Sequence, residues 1–304
     1  MTDSEVIYIK ALEKELKDLK EQNASLQSMY EMTTIYLKNI QDELKISEQK
    51  ILQINKNLTD SINYAKRIQD AFILQAGTLQ ILFKNSFVFQ KPKEIVSGDF
   101  IWAYDNNNHV YLALGDCTGH GVPGAMLSIF VISMLNQIIQ HFDNGTPADI
   151  LNRLDKLIKK YLTQSTEQIR DSAEIAIIKY DKTNPKIYYS GAKRPLIHIR
   201  KGITTIYQGS KFELGNDYKR NEFLENIEID IQENDMLYMF SDGYADQFGG
   251  EKNFKFTTKK LMTLLQDVSP LSIDEQYEQI KSTFVNWQGN SYQIDDVTLL
   301  GIRV

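Results

Sequence analysis

Apolar residues recur at alternating intervals of three and four from Ile9 to Phe72 without a change of frame. Written as heptads, the a positions are Ile9, Leu16, Asn23, Tyr30, Leu37, Leu44, Ile51, Leu58, Ala65 and Phe72. The d positions are Leu12, Leu19, Leu26, Thr33, Ile40, Ser47, Ile54, Ser61 and Ile68. Fifteen of these 19 are apolar, counting Tyr and Ala, so the pattern predicts one long helix that covers its stripe with another helix. No Gly or Pro precedes Gly77, so neither common breaker interrupts it. Asn23 at an a position costs stability and favours a parallel dimer in one register, because two amides can pair there. Thr33, Ser47 and Ser61 soften the d layer. We therefore read residues 1–78 as a parallel dimeric coiled coil with a linker helix.

Beyond Gly77 the period changes. Short β-rich runs occur at Ser86–Gln90, Phe100–Tyr104, Val110–Leu114, Glu174–Tyr180, Lys186–Tyr189, Leu196–Arg200, Ile203–Tyr207, Leu224–Ile231, Met236–Phe240 and Val297–Ile302. Several alternate apolar with polar, which buries one face and wets the other. Helical periods occur in pairs: Val122–Gln140 with Pro147–Leu162, and Thr257–Val268 with Ser272–Trp287. Strands adjacent in sequence with helices inserted in pairs predict an α+β domain over residues 79–304. Its antiparallel sheets would be covered by helix pairs.

The net charge of −6 gives no basic face for nucleic acid. The single cysteine excludes a disulfide framework and fits a reducing compartment. The polar N-terminus lacks a signal-peptide stretch, and the window Ala125–Ile139 is short for a membrane span. A cytoplasmic protein without membrane or nucleic-acid partners is expected. Eight residues before Ile9 are too few for an input domain, so control is expected from a partner on the coiled coil or from its register.

Four segments put aspartate where an apolar run meets a turn. They are Val96-Ser97-Gly98-Asp99, Leu114-Gly115-Asp116-Cys117-Thr118-Gly119-His120-Gly121, Phe240-Ser241-Asp242-Gly243 and Ile294-Asp295-Asp296-Val297. A carboxylate beside apolar residues must be solvated, paired or metal-bound. One Asp-Gly alone is a turn signal. Four such segments together suggest a common site, and carboxylates with water suit Mg²⁺ or Mn²⁺.

In this order the four motifs resemble those of the metal-dependent protein phosphatases of the protein phosphatase 2C (PPM) superfamily. The similarity is greatest to the bacterial SpoIIE-type branch. It runs from about Ser61 to the C-terminus, beginning at Ser61-Ile62-Asn63-Tyr64-Ala65-Lys66-Arg67-Ile68-Gln69. The resemblance implies a central antiparallel β-sandwich flanked by helix pairs. It implies a serine/threonine phosphatase with two Mn²⁺ or Mg²⁺ ions, hydrolysing phosphoserine or phosphothreonine with a metal-activated water. By position, Asp116 would bridge both ions and the backbone carbonyl of Cys117 would face one. Asp242 and Asp295 would hold the other ion, and Asp99 would act near the second; the adjacent Asp296 leaves the choice within that pair open. The substrate class it implies is a phosphorylated anti-anti-sigma-type regulatory protein.

Other readings bear on the same residues. Thiol phosphatases place Arg six positions after the nucleophilic Cys, and here that position is Pro123. Cys117 is therefore read as a small buried residue, and His120 as a turn residue with a positioning role. Lys193 and Arg194 could meet a phosphate, although turn cations are commonly exposed. Two rival functions remain: a non-catalytic dimeric signalling scaffold with a phosphatase-like binding module, and a different metal enzyme behind a signalling helix, such as a nucleotide cyclase.

Overall fold

The computed structural model describes residues 2–142, 144–162, 171–216 and 223–304. Packing divides the chain into two compact units, Met1–Ser61 and Ile62–Val304. Helix α1 (Asp3–Phe72) begins in the first and ends in the second. In the first unit the heptad stripe lies open in the single chain. Leu26 is 61% exposed and Ile54 63%.

The second unit starts with the last turns of α1 and the short helix α2 (Ala76–Leu82). Strands β1 (Ser86–Lys91), β2 (Phe100–Asp105) and β3 (His109–Cys117) follow, then helices α3 (Gly121–His141) and α4 (Pro147–Leu162). Next come β4 (Ala173–Asp181), β5 (Lys186–Ala192), β6 (Leu196–Arg200), β7 (Ile203–Tyr207), β8 (Ile227–Asp230) and β9 (Met236–Phe240). A one-turn helix α5 (Gly243–Asp246) leads into the ribbon β10 (Phe248–Gly249) and β11 (Phe254–Lys255). Helices α6 (Thr258–Val268) and α7 (Ile273–Gln288) precede the last strand, β12 (Val297–Arg303).

Two five-stranded antiparallel sheets result, ordered β1-β12-β9-β6-β7 and β2-β3-β4-β5-β8. Alternation along β3 explains their stacking. Val110, Leu112 and Leu114 face the other sheet and pack with Leu237, Met239, Leu300 and Ile302. Tyr111 and Ala113 face the opposite way, into a layer built with α3 and α4 through Leu135, Leu151 and Leu154. The outer face of the first sheet carries Phe89, Ile197 and Leu299 against Leu261, Leu265 and Phe284 of α6 and α7. The order of layers is helix pair, sheet, sheet, helix pair. Each fully buried Leu or Phe contributes roughly 1.5–3 kcal/mol of transfer free energy.

The fold is the α+β sandwich that the motifs implied. Three local features differ from expectation. Helix α2 has seven residues, too few to show a period, and the two-residue strands of the ribbon leave no pattern. Strand β8 is shorter than the apolar run Leu224–Ile231. Helix α3 has 21 residues, the predicted helix Val122–Gln140 with one residue added at each end, and is long and apolar enough to cross a membrane. Half of that stretch is buried against the sheet and α4, the position of a core helix.

Candidate active site

The four aspartate segments come from strand ends that the two sheets bring together. Asp116 is the penultimate residue of β3 and lies opposite Glu174 of β4. Asp99 immediately precedes β2, whose Phe100 pairs with Gly115 of β3. In the other sheet, Asp242 follows β9 and Asp295 precedes β12, its neighbour. A hydrogen bond joins the sheets at this end: the Ser241 hydroxyl donates to Asp99 Oδ2 at 2.6 Å. The same oxygen of Ser241 accepts from the Thr298 N–H at 2.9 Å. Two glycines permit the close approach. A Cβ on Gly98 would stand 2.8 Å from the Gly119 carbonyl and 2.9 Å from that of Cys117. A Cβ on Gly243 would collide with the Asp296 carbonyl.

The paired aspartates near the C-terminus do different work. Asp296 is 3% exposed, and both carboxylate oxygens are engaged. They accept from the N–H groups of Lys93 and Gly98, each at 2.7 Å, and so hold the β1–β2 loop. The Asp295 carboxylate accepts only from the Asp296 N–H, at 2.9 Å, among the hydrogen bonds of the described residues. Its pKa is raised, chiefly by burial and further by the charges of Asp242 and Asp296. Asp295 is thus the member of the pair with oxygen left for a ligand.

Asp99 is 1% exposed, and its Oδ1 is buried without a hydrogen-bond partner. Burial, with the charge of Asp296 adding to it, pushes its pKa up to about 7 despite the Ser241 and Thr298 hydroxyls beside it and the charge of Arg194. Asp116 is also held well above the usual carboxylate range by burial and by the charges of Asp99, Asp242 and Asp295. A buried anionic oxygen with no partner requires a proton or a cation. Four carboxylates with one orphaned oxygen therefore fit divalent ions that prefer oxygen. The Cys117 carbonyl faces the Gly98–Asp99 turn. Its side chain is buried, and burial pushes the thiol pKa well up, which removes any thiolate nucleophile.

Arg194 departs from expectation. It is 6% exposed rather than a solvated turn cation. Its guanidinium meets Asp116, Glu174 at 2.8 Å and Asp242 at 3.2 Å. No three acidic, His or Cys side chains form a cation cage by themselves among the described residues; Asp116 and Asp242 meet on Arg194. The neighbouring Lys193 pairs with Glu174 and Glu213. His120 is the N-cap residue of α3, with Nδ1 2.5 Å from Glu94 Oε1 in an exposed contact.

A family model for stage II sporulation protein E (SpoIIE) matches residues 106–304. The chain belongs to the SpoIIE family. Phosphoserine phosphatase RsbU of Bacillus subtilis (strain 168) is 22% identical over 219 residues, which cover 70% of this chain and 61% of RsbU. The match thus spans less than two thirds of that relative. The SiaA PP2C domain of Pseudomonas aeruginosa superposes with a TM-score of 0.74 at 26% identity, over 82% of this chain and 98% of that domain. The PP2C phosphatase domain of SpoIIE from Bacillus subtilis, solved with a fragment of its regulatory domain, gives 0.58 at 17% identity. That match covers 72% of this chain and 62% of the other. The second unit therefore has the PP2C-type fold, with the SpoIIE family match over residues 106–304.

In this SpoIIE-family domain, two residues near the aspartates had no assigned role from sequence. Glu174 became visible only through strand pairing with Asp116. Gln69, near the end of α1, is 2% exposed. Its amide accepts from the Ser97 N–H at 3.2 Å and donates to the Ser97 carbonyl at 2.6 Å and to the Ser128 hydroxyl at 3.0 Å. Ser97 lies two residues before Asp99, so α1 grips the loop that delivers this carboxylate.

Proposed function

We propose that this chain is a cytoplasmic, metal-dependent protein serine/threonine phosphatase. Its substrate would be a phosphoserine or phosphothreonine of a regulatory protein, of the anti-anti-sigma type in this branch. Asp99, Asp116, Asp242 and Asp295 are the side chains proposed to hold two ions, Mn²⁺ or Mg²⁺, with the Cys117 carbonyl beside them. Such ions would acidify a water and neutralise phosphoryl oxygens. The chain's own part is to converge the four carboxylates, hold Asp99 by Ser241 and fix the loops by Asp296. One observation carries the reading: the buried, unpartnered oxygen of Asp99 at the point where four aspartate-bearing strand ends meet.

The N-terminal segment, residues 1–78, is proposed to pair with a second copy as a parallel coiled coil and to relay a signal from a protein partner. Gln69 supports this, because any twist or shift at the end of α1 acts on the backbone of Ser97.

The scaffold reading has one observation in its favour. Arg194 pairs with both Asp116 and Asp242, so these two carboxylates have a counter-charge within the chain. Mn²⁺-dependent hydrolysis of p-nitrophenyl phosphate decides between them, with Asp116→Asn as control. The expected loss in the variant is on the order of 10³-fold, the weight of several kcal/mol of charge stabilisation. Absence of both hydrolysis and Mn²⁺ binding in the wild type would favour the scaffold.

A further inference from the structure

Arg194 pairs with its carboxylates in an unusual way. The guanidinium normally forms a fork, with two parallel N–H groups on one carboxylate. Here the nearest contacts to Asp116, Glu174 and Asp242 all use the same terminal nitrogen, Nη2. The Nε atom is buried without a hydrogen-bond partner. One nitrogen shared by three oxygens from three segments is the geometry of a point cation. The turn bearing it is held in place independently. Lys193 adopts φ +58°, and its N–H donates to the Ser210 carbonyl at 2.9 Å. The Arg194 carbonyl accepts from the Tyr189 hydroxyl at 2.5 Å.

Charge sharpens the picture. Asp99, Asp116, Asp242 and Asp295 together balance two divalent ions. With such ions present, Arg194 and Glu174 balance one another. Without them, Arg194 is the cation in contact with Asp116 and Asp242. We propose that Arg194 is the resident counter-cation of the ion-free site. Its Nη2 holds Asp116 and Asp242 in place, and an ion held by those two carboxylates would compete with it and leave it paired with Glu174. The inference rests on the metal-site reading of the four aspartates. Arg194 is a positioning residue on this account. It keeps the ion-free centre assembled and sets a threshold ion concentration for loading.

The test is Mn²⁺ titration calorimetry on the full chain, with thermal unfolding measured with and without Mn²⁺. Arg194→Met should bind Mn²⁺ at least about tenfold more tightly, since the competing charge is gone. Its unfolding temperature without Mn²⁺ should fall by about 5–10 °C, because the partly buried carboxylates of Asp116 and Glu174 lose their partner. With saturating Mn²⁺ it should unfold with the wild type. Arg194→Lys keeps a point charge with less reach and should tighten binding by a smaller factor; it also serves if the Met variant does not fold. Equal or weaker Mn²⁺ binding in the variants would overturn the proposal while leaving the metal site standing. So would a loss of stability that Mn²⁺ does not restore. Absence of Mn²⁺ binding in wild type and variants alike would remove the metal site and this proposal with it.

Discussion

The two units of this chain handle their apolar residues in opposite ways. In Ile62–Val304, two sheets and two helix pairs enclose Leu112, Leu114, Leu237 and Leu300 to 1% exposure or less. In Met1–Ser61 the apolar stripe of α1 stays open, with Leu37 at 55% and Leu44 at 65%. Isolated helices gain little from propensity alone and depend on a packed apolar face. On the coiled-coil proposal the first unit needs a second helix, whereas the second encloses its own core. Stability of the second unit should be independent of protein concentration, and that of the first should not.

Paired truncations break or sharpen this contrast most strongly. Leu300→Ala opens a cavity between the sheets and should cost about 2–5 kcal/mol at any protein concentration. Leu44→Ala should leave the domain's unfolding unchanged and weaken assembly of the helix. Circular dichroism melts at two concentrations, fifty-fold apart, separate the outcomes. A Leu44→Ala effect independent of concentration would refute pairing of the stripe.

Next in size is the residue through which α1 reaches the aspartate loop. Gln69→Leu leaves the Ser97 N–H and carbonyl buried without partners, at about 1–3 kcal/mol for each group. The domain should unfold earlier, and Mn²⁺-dependent hydrolysis should fall at least tenfold as Asp99 loses its fixed loop. Full activity in a destabilised Gln69→Leu protein would mean that α1 supports the fold without controlling the site.

The aspartates were legible because each stands at the mouth of an apolar run, where a carboxylate is out of place. The heptads were legible because nothing interrupts their frame over nine repeats. Gln69 was hidden by the same frame. It falls at an e position, expected to be solvated, yet the domain packs there and buries it. The burial of Arg194 is not legible in the sequence, because turn cations are usually exposed and its partner Asp116 lies 78 residues away. Asp295 and Asp296 could not be separated by order alone. Backbone donors from Lys93 and Gly98, about two hundred residues earlier, occupy both oxygens of Asp296, which is why Asp295 is the one proposed as a ligand.

Protonation gives a smaller effect confined to the second unit. The Asp99 pKa stands at about 7 in the fold against an ordinary 3.8. The ion-free fold thus keeps a proton that the unfolded chain releases between those values. The resulting stabilisation is complete below the unfolded pKa and is lost as pH rises through about 7. Asp116 and Asp295, also raised, act in the same direction. Unfolding temperature without metal should therefore fall between pH 5 and pH 8, and Asp99→Asn should flatten that slope. A slope unchanged in the variant would assign the effect to the other aspartates.

The smallest expected effect lies in the first unit, at Asn23. An amide at an a position reduces the stability of a paired helix but penalises slipped and higher-order assemblies more, since each leaves the amide unpaired. Asn23→Leu should therefore raise the melting temperature of the helix and broaden its oligomers from dimer toward mixtures, seen by sedimentation equilibrium. Hydrolysis should change by a few-fold at most, because the substitution lies 46 residues before Gln69 in α1. The sign is informative where the size is not. Unchanged oligomeric state together with unchanged activity would mean that register at Asn23 carries no signal to the Ser97 loop.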